Sequence, residues 1–309
     1  MPRPTPYWQY DVFTRVPFGG NPLAIFPEAE GLKDDEMQAL ARETNCSETT
    51  FVLPPVLAGG SDRARVRIFT PRKEIPFAGH PVVGTAWALV ERGRLAAGAG
   101  GVVTLELGIE RVASYAVDVE RDAGGDLRGV TMTQGAPAIG PDLSERDWAP
   151  ALAAMGVPWE AVADGLPMAV ASTGLPFLMV PLVSDETLAA LRPDAGPLEG
   201  ALAAIGAEGA YVFVLGGDRR TVQARSFCPG LSVPEDPATG SAAGALGAYL
   251  RARGSVKGDS EVAEIRIRQG ASMSRPSEIT VFVDGSRATP RVRVRGEAVV
   301  VFEGVARLR

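Results

Sequence analysis

Two stretches of this chain, Pro81–Arg92 and Ser241–Arg253, read as helices that are apolar on every side. The first begins Pro-Val-Val-Gly-Thr-Ala-Trp-Ala-Leu-Val, and the second contains Ala-Ala-Gly-Ala-Leu-Gly-Ala-Tyr-Leu. A surface helix keeps a polar face, so a helix without one is buried all round. Strand signals dominate the rest of the chain. Each helix is therefore expected to run inside a sheet that rolls around it.

The strand signals are alternations of period two. Arg63-Ala-Arg-Val-Arg-Ile-Phe69 and Arg291-Val-Arg-Val-Arg295 alternate charged and apolar residues, as half-buried antiparallel strands with outward arginines do. Further strands are expected over Tyr7–Phe13, Leu23–Phe26, Thr49–Leu53, Val102–Leu107, Ser114–Val119, Tyr211–Leu215, Thr221–Phe227, Ile265–Arg268, Ile279–Val283 and Val299–Phe302. Asp34–Glu43 reads as an amphipathic helix. Asp34, Asp35 and Glu36 suit the positive end of its dipole, and Met37, Leu40 and Ala41 form its apolar face. Glycine (36) and proline (25) make up about a fifth of the chain, which fits many tight turns.

The pattern repeats. Arg67-x-Phe69-x-Pro71 recurs as Arg225-x-Phe227-x-Pro229, an offset of 158, and Gly79–Leu89 aligns with Gly240–Leu250, an offset of 161. Gly20–Ile25 aligns more loosely with Gly174–Met179. The expected fold is α+β: two pseudo-symmetric lobes, each a mostly antiparallel, barrel-like sheet around a central buried helix. The expected boundaries are 1–128 for the N-terminal lobe and 129–295 for the C-terminal lobe. A final strand over 296–309 is expected to return to the N-terminal lobe.

Charge and cysteine content narrow the function. Lys and Arg number 31 against 37 Asp and Glu, a net charge of −6, the wrong sign for a non-specific nucleic-acid or anionic-membrane binder. Two cysteines, Cys46 and Cys228, cannot make a disulfide framework or a cysteine zinc site, and His80 is the one histidine. Any metal site would therefore have to be built almost wholly from carboxylates. Met1–Phe13 has no basic-then-apolar leader. The longest charge-free stretch, Gly165–Ser184, is broken by Pro167, Pro176 and Pro181. A soluble, cytoplasmic protein is expected. There is neither a Walker A sequence nor a Gly-x-Gly-x-x-Gly after a strand.

Two buried helices supply two electropositive N-termini. Ile75-Pro-Phe-Ala-Gly-His80 leads into one and Pro234-Glu-Asp-Pro-Ala-Thr-Gly-Ser241 into the other. If both face one interlobe cleft, they suit a carboxylate or a developing enolate. Turn glycines and a Ser241 N-cap are the plainer reading. Glu48 opens an apolar strand, where burial raises a carboxyl group toward acid/base duty; an exposed strand start is the alternative. Asp236 reads as a site residue or a cap, and His80 as a site residue or a satisfied helix-start residue. Ser241, His80 and Asp236 formally supply a serine-hydrolase set, but no Gly-x-Ser-x-Gly elbow surrounds Ser241. A non-catalytic carboxylate-binding protein is the third alternative. Both cysteines read as packed thiols.

Asp11-Val-Phe-Thr-x-x-Pro-Phe-x-Gly-Asn-Pro22, Asn45-x-Ser-Glu-Thr-Thr-Phe51, Arg67-Ile-Phe-Thr-Pro71, Pro76-Phe-Ala-Gly-His-Pro81 and Glu235-Asp-Pro-Ala-Thr-Gly-Ser-Ala-Ala243 together resemble the phenazine-biosynthesis isomerase family (PhzF-like), within the diaminopimelate-epimerase superfamily. The resemblance runs through nearly the whole chain. It implies two epimerase-like lobes with the active site between them. It also implies a small carboxylate substrate, no metal or pyridoxal, and a homodimer. By resemblance, Glu48 matches the acid/base that moves a proton along an unsaturated carboxylate. Asp236, His80 and Ser241 match residues lining the same pocket, and Gly79 and Gly240 match the helix-start glycines. The superfamily's two-thiol epimerases carry cysteines where this chain has Ala78 and Thr239. That mechanism is closed here, and one carboxylate is expected to shuttle the proton. Arg15, Asn21 and Arg72 are further candidate polar contacts.

Overall fold

A computed structural model describes residues 3–57, 60–98, 100–231, 233–256 and 262–308. The chain is mixed α+β, rich in strands and with few helices, and it divides into two compact units. One unit is Met1–Met132 with Arg295–Arg309, and the other is Thr133–Val294.

The first unit opens with β1 (Arg3–Val12) and β2 (Asn21–Phe26), paired antiparallel. Helix α1 (Asp34–Thr44) then crosses to β3 (Glu48–Leu53), which lies parallel to β2. Next come β4 (Arg63–Phe69), the short β5 (Glu74–Ile75), α2 (Gly79–Glu91) and β6 (Val102–Leu107). Strand β4 is antiparallel to β3 and parallel to β6, so α2 is the crossover between two parallel strands. Strands β7 (Ala113–Arg121) and β8 (Leu127–Thr133) continue the antiparallel run.

The second unit begins with β9 (Ala138–Ile139), α3 (Glu145–Met155), β10 (Ala169–Ser172) and β11 (Pro176–Leu182). Helices α4 (Asp185–Ala190) and α5 (Ala195–Ala204) cross to β12 (Gly209–Leu215), parallel to β11. Then follow β13 (Thr221–Cys228), β14 (Val233–Asp236), α6 (Gly240–Ala252), β15 (Ala263–Gln269), β16 (Ser277–Gly285) and β17 (Pro290–Gly296). Here α6 is the crossover between parallel β13 and β15. The chain ends in β18 (Ala298–Leu308), antiparallel to β1 within the first unit.

The alternating segments behave as their periodicity predicts. Strand β4 alternates half-buried arginines with buried Ala64, Val66 and Ile68. Every residue of α2 from Gly79 to Val90 is buried, and the helix touches β1, β2, β3, β6, β7 and β18. Gly84 lets it approach β1 and β2, since a Cβ there would stand 2.5 Å from a Val12 methyl and 2.7 Å from a Leu23 methyl. Helix α6 is buried from Ala242 to Arg251 and touches β9, β10, β11 and β16. Outside these contacts, α1 packs Met37, Leu40 and Ala41 on Phe26, Phe51 and Phe69. In the second unit, Trp148, Leu152, Met155, Leu198 and Leu202 pack on β11 and β12.

Several elements escape the sequence reading. Helices α3, α4 and α5 and strands β5, β8, β9, β10, β11 and β14 are additional to those expected. Strand β11 contains Pro181, a residue that removes a ladder donor. It is tolerated because the β10 ladder ends at Met179, before the proline is reached. No helix among the described residues is long and apolar enough to cross a membrane.

Candidate active site

Glu48 is the first residue of β3, and its side chain is 19% exposed. Its position is fixed from both sides of the chain. Ser47 donates through Oγ to Asn21 Oδ1 at 3.1 Å, and Thr49 Oγ1 lies 2.9 Å from Thr44 Oγ1. One residue further, Thr50 Oγ1 meets Thr85 Oγ1 of α2 at 2.9 Å, tying the strand to the helix. These bonds fix the start of β3 and tie the strand to the middle of α2.

His80, in the first turn of α2, places Nε2 3.6 Å from Glu48 Oε2. That is beyond hydrogen-bond reach. Burial pushes the imidazole down to about 3, so it is neutral at physiological pH and the contact is not an ion pair. Nε2 has no hydrogen-bond partner among the described residues. An imidazole held neutral by burial is a weaker general base than a solvated one. The residue at the helix N-cap is Ala78, which has no side-chain oxygen for the first-turn N–H groups.

The head of α6 in the second unit holds Asp236, Gly240 and Ser241. Its N-cap, Thr239, also makes no side-chain bond to the helix. Its hydroxyl instead donates to Asp236 Oδ2 at 2.5 Å. Asp236 is buried, and Ser241 is half-buried. The carbonyl of Gly240 accepts from Gln134 Nε2 at 3.1 Å, and that of Ser241 accepts from Thr173 Oγ1 at 3.2 Å. Thr173 also donates to Gln134 Oε1.

Each loop is braced by an arginine. Arg67 grips Glu74 with Nε and Nη2 at 2.7 and 2.6 Å and lies over Phe69. Arg225 grips Glu235 with the same two atoms at 2.8 Å and lies over Phe227. Burial pushes Glu235 up, but Arg225 and Ser272 outweigh it and hold the carboxyl below its ordinary range. The repeated Arg-x-Phe signal marked these arginines. Their acidic partners, along with Gln134 and Thr173, were not singled out. Of the further polar candidates, Asn21 is buried beside Ser47. Arg15 is paired with Glu297. Arg72 lies on an exposed turn. Cys46 and Cys228 are buried and not joined in a disulfide. No group of three or more His, Cys, Asp or Glu side chains suited to a metal occurs among the described residues.

The architecture recurs in known proteins. A phenazine biosynthesis protein of the PhzF family from Bacillus anthracis superposes with a TM-score of 0.86 at 27% identity, over 98% of this chain and 99% of that one. A probable proline racemase from Agrobacterium radiobacter K84 shares the fold alone, with a TM-score of 0.61 at 15% identity over 99% and 93% of the two chains. A trans-2,3-dihydro-3-hydroxyanthranilate isomerase from Pseudomonas fluorescens is 35% identical over 95% of this chain and 96% of its own length. The fold and these relatives define an isomerase. The chain belongs to the phenazine biosynthesis-like protein family, whose model matches residues 10–304.

Proposed function

We propose that the protein moves a proton on a small unsaturated or cyclic carboxylate, with Glu48 as the general acid/base and no cofactor. The observation that carries this reading is the half-buried Glu48 carboxylate 3.6 Å from a neutral His80 at the uncapped head of α2.

The chemistry follows from that arrangement. Ionised Glu48 takes a proton from a carbon conjugated to the substrate carboxylate. The C–H electron pair moves into the conjugated system, and negative charge builds on oxygen. The first-turn N–H groups of α2 suit such an anion. Glu48, now protonated, delivers a proton at another carbon, and a carboxyl group that exchanges with solvent before delivery leaves deuterium there in D2O. One C–H bond breaks and one forms, without net redox. A neutral His80 helps in a specific way. An imidazolium beside Glu48 would stabilise its charged form and weaken it as a base, whereas a neutral ring leaves its basicity intact. In the same reading Asp236, Gly240 and Ser241 of the second unit take part in substrate binding, and Asp236 also in catalysis.

The relative from Pseudomonas fluorescens suggests the first substrate to try. The protein is incubated in D2O with trans-2,3-dihydro-3-hydroxyanthranilate and a panel of unsaturated and amino carboxylates, diaminopimelate among them. NMR follows deuterium incorporation and isomerisation. Glu48→Gln is expected to lower turnover about 100- to 10,000-fold while folding normally. A Glu48→Gln protein with near-wild-type turnover removes Glu48 from the mechanism. Saturable ligand binding without exchange would favour a binding protein.

A further inference from the structure

Gln269, the last residue of β15, is buried and uses every hydrogen-bonding valence of its amide. Oε1 accepts from Tyr211 Oη at 2.9 Å and from the Thr239 backbone N–H at 3.3 Å. Nε2 donates to the Asp236 backbone carbonyl at 2.7 Å and to Thr239 Oγ1 at 3.0 Å. The orientation of this amide is not arbitrary. A backbone N–H only donates and a backbone carbonyl only accepts, so a flipped amide would oppose both.

That fixed orientation has a consequence one bond further. Thr239 Oγ1 accepts a hydrogen bond from Gln269 Nε2, so its own proton is directed at Asp236 Oδ2, 2.5 Å away. The Asp236 carboxylate is thereby obliged to accept. The chain of donors runs one way, from Gln269 through Thr239 to Asp236. Burial, with the Asp236 charge adding to it, raises the Tyr211 phenol and keeps it protonated as a donor to Gln269. Ser277 braces the same corner, donating to the carbonyls of Pro237 and Gln269 at 2.5 and 2.9 Å.

We infer that Gln269 is a positioning residue for the reaction, acting through the Thr239 hydroxyl to hold the Asp236 carboxylate oriented at the head of α6. The inference rests on the reading above, in which Asp236 serves catalysis. It also gives Thr239 a role: the hydroxyl at this helix start works as a relay to the neighbouring carboxylate.

The test compares wild type with Gln269→Met, Thr239→Val, Thr239→Ser and the Gln269→Met/Thr239→Val double variant. Carboxyl 13C NMR follows the titration of Asp236, assigned with Asp236→Asn. Kinetics use trans-2,3-dihydro-3-hydroxyanthranilate, or the panel compound that exchanges. Thr239→Ser keeps the hydroxyl and is expected to titrate and turn over like wild type. Thr239→Val and Gln269→Met are each expected to raise the Asp236 midpoint by about one pH unit and to lower kcat about tenfold, with KM little changed. The double variant is expected to be no worse than the poorer single one, because both act along one path. An Asp236 midpoint that stays put in folded Gln269→Met, or single effects that add in the double variant, would overturn the inference. If Gln269→Met does not fold, Thr239→Val decides: a midpoint equal to that of Thr239→Ser overturns it. Wild-type protein that neither isomerises nor exchanges a proton on any compound overturns the proposed reaction instead. The titration arm then still decides whether Gln269 sets Asp236.

Discussion

His80 ties the candidate site to acid stability. Its imidazole is neutral in the fold down to about pH 3, against an ordinary value of 6.5. Below pH 6.5 the unfolded chain binds a proton that the folded chain refuses. Stability therefore falls as pH drops from 6.5 and levels off near 3. Above 6.5 both states are neutral and the residue contributes no slope. Urea midpoints of wild type and His80→Gln, measured from pH 8 to pH 4, are expected to diverge below 6.5, with the variant losing less. Parallel curves would mean that the ring takes up a proton in the fold. At this scale the main residues of the candidate site were legible as candidates. Glu48 stood out as a carboxylate opening an apolar strand, and His80 as the one histidine at the head of an apolar helix. Gln269 was not legible, because its partners lie 30 and 58 residues away in sequence. A buried glutamine has no local signature. Only the fold shows which backbone groups it satisfies.

At the scale of elements, the two buried helices were the surest part of the sequence. They begin at Gly79 and Gly240, within two residues of the expected starts. The Arg-x-Phe-x-Pro repeat likewise fell on strands in equivalent roles, β4 and β13, each antiparallel to the strand before it and parallel to the one after its helix. The helices that escaped were the amphipathic ones of the second unit. Trp148, Ala151, Leu152 and Met155 do recur at helical spacing in α3, but Pro150 interrupts the pattern. Close packing at the head of α6 makes a prediction at this scale. A Cβ on Gly244 would stand 2.0 Å from Gln134 Oε1. Gln134 cannot swing aside without losing its bonds to Thr173 and Gly240. Gly244→Ala is therefore expected to destabilise the protein by about 1–3 kcal/mol, despite the better helix propensity of alanine. Urea denaturation checks it. A neutral or stabilising result would mean that the Gln134 network yields freely.

The whole molecule has an uneven architecture. The second unit is one continuous stretch, Thr133–Val294, whereas the first is assembled from both ends of the chain. Closing the first unit joins β1 to β18, with Arg3 opposite Leu308 and Val12 opposite Ala298. Contacts so distant in sequence carry a large loop-closure cost unless the intervening residues are already compact. Refolding is thus expected to protect β12, β13, β15 and β16 amides before those that β1 and β18 share. Pulsed hydrogen exchange reads this order directly. Simultaneous protection would show instead that the two units fold as one.

The same strand pairing sets a clock during synthesis. Strand β1 leaves the ribosome long before its partner β18, with almost all of the described chain between them. At about 5–20 residues per second, the wait between them is roughly 15–60 s. Through that interval the β18-facing edge of β1 is an unpaired strand edge, the kind of surface that recruits other chains. During that wait the growing chain is most exposed to mispairing at β1. Synonymous codon changes that slow translation late in the message, after β17, are expected to lower soluble yield without altering a single residue.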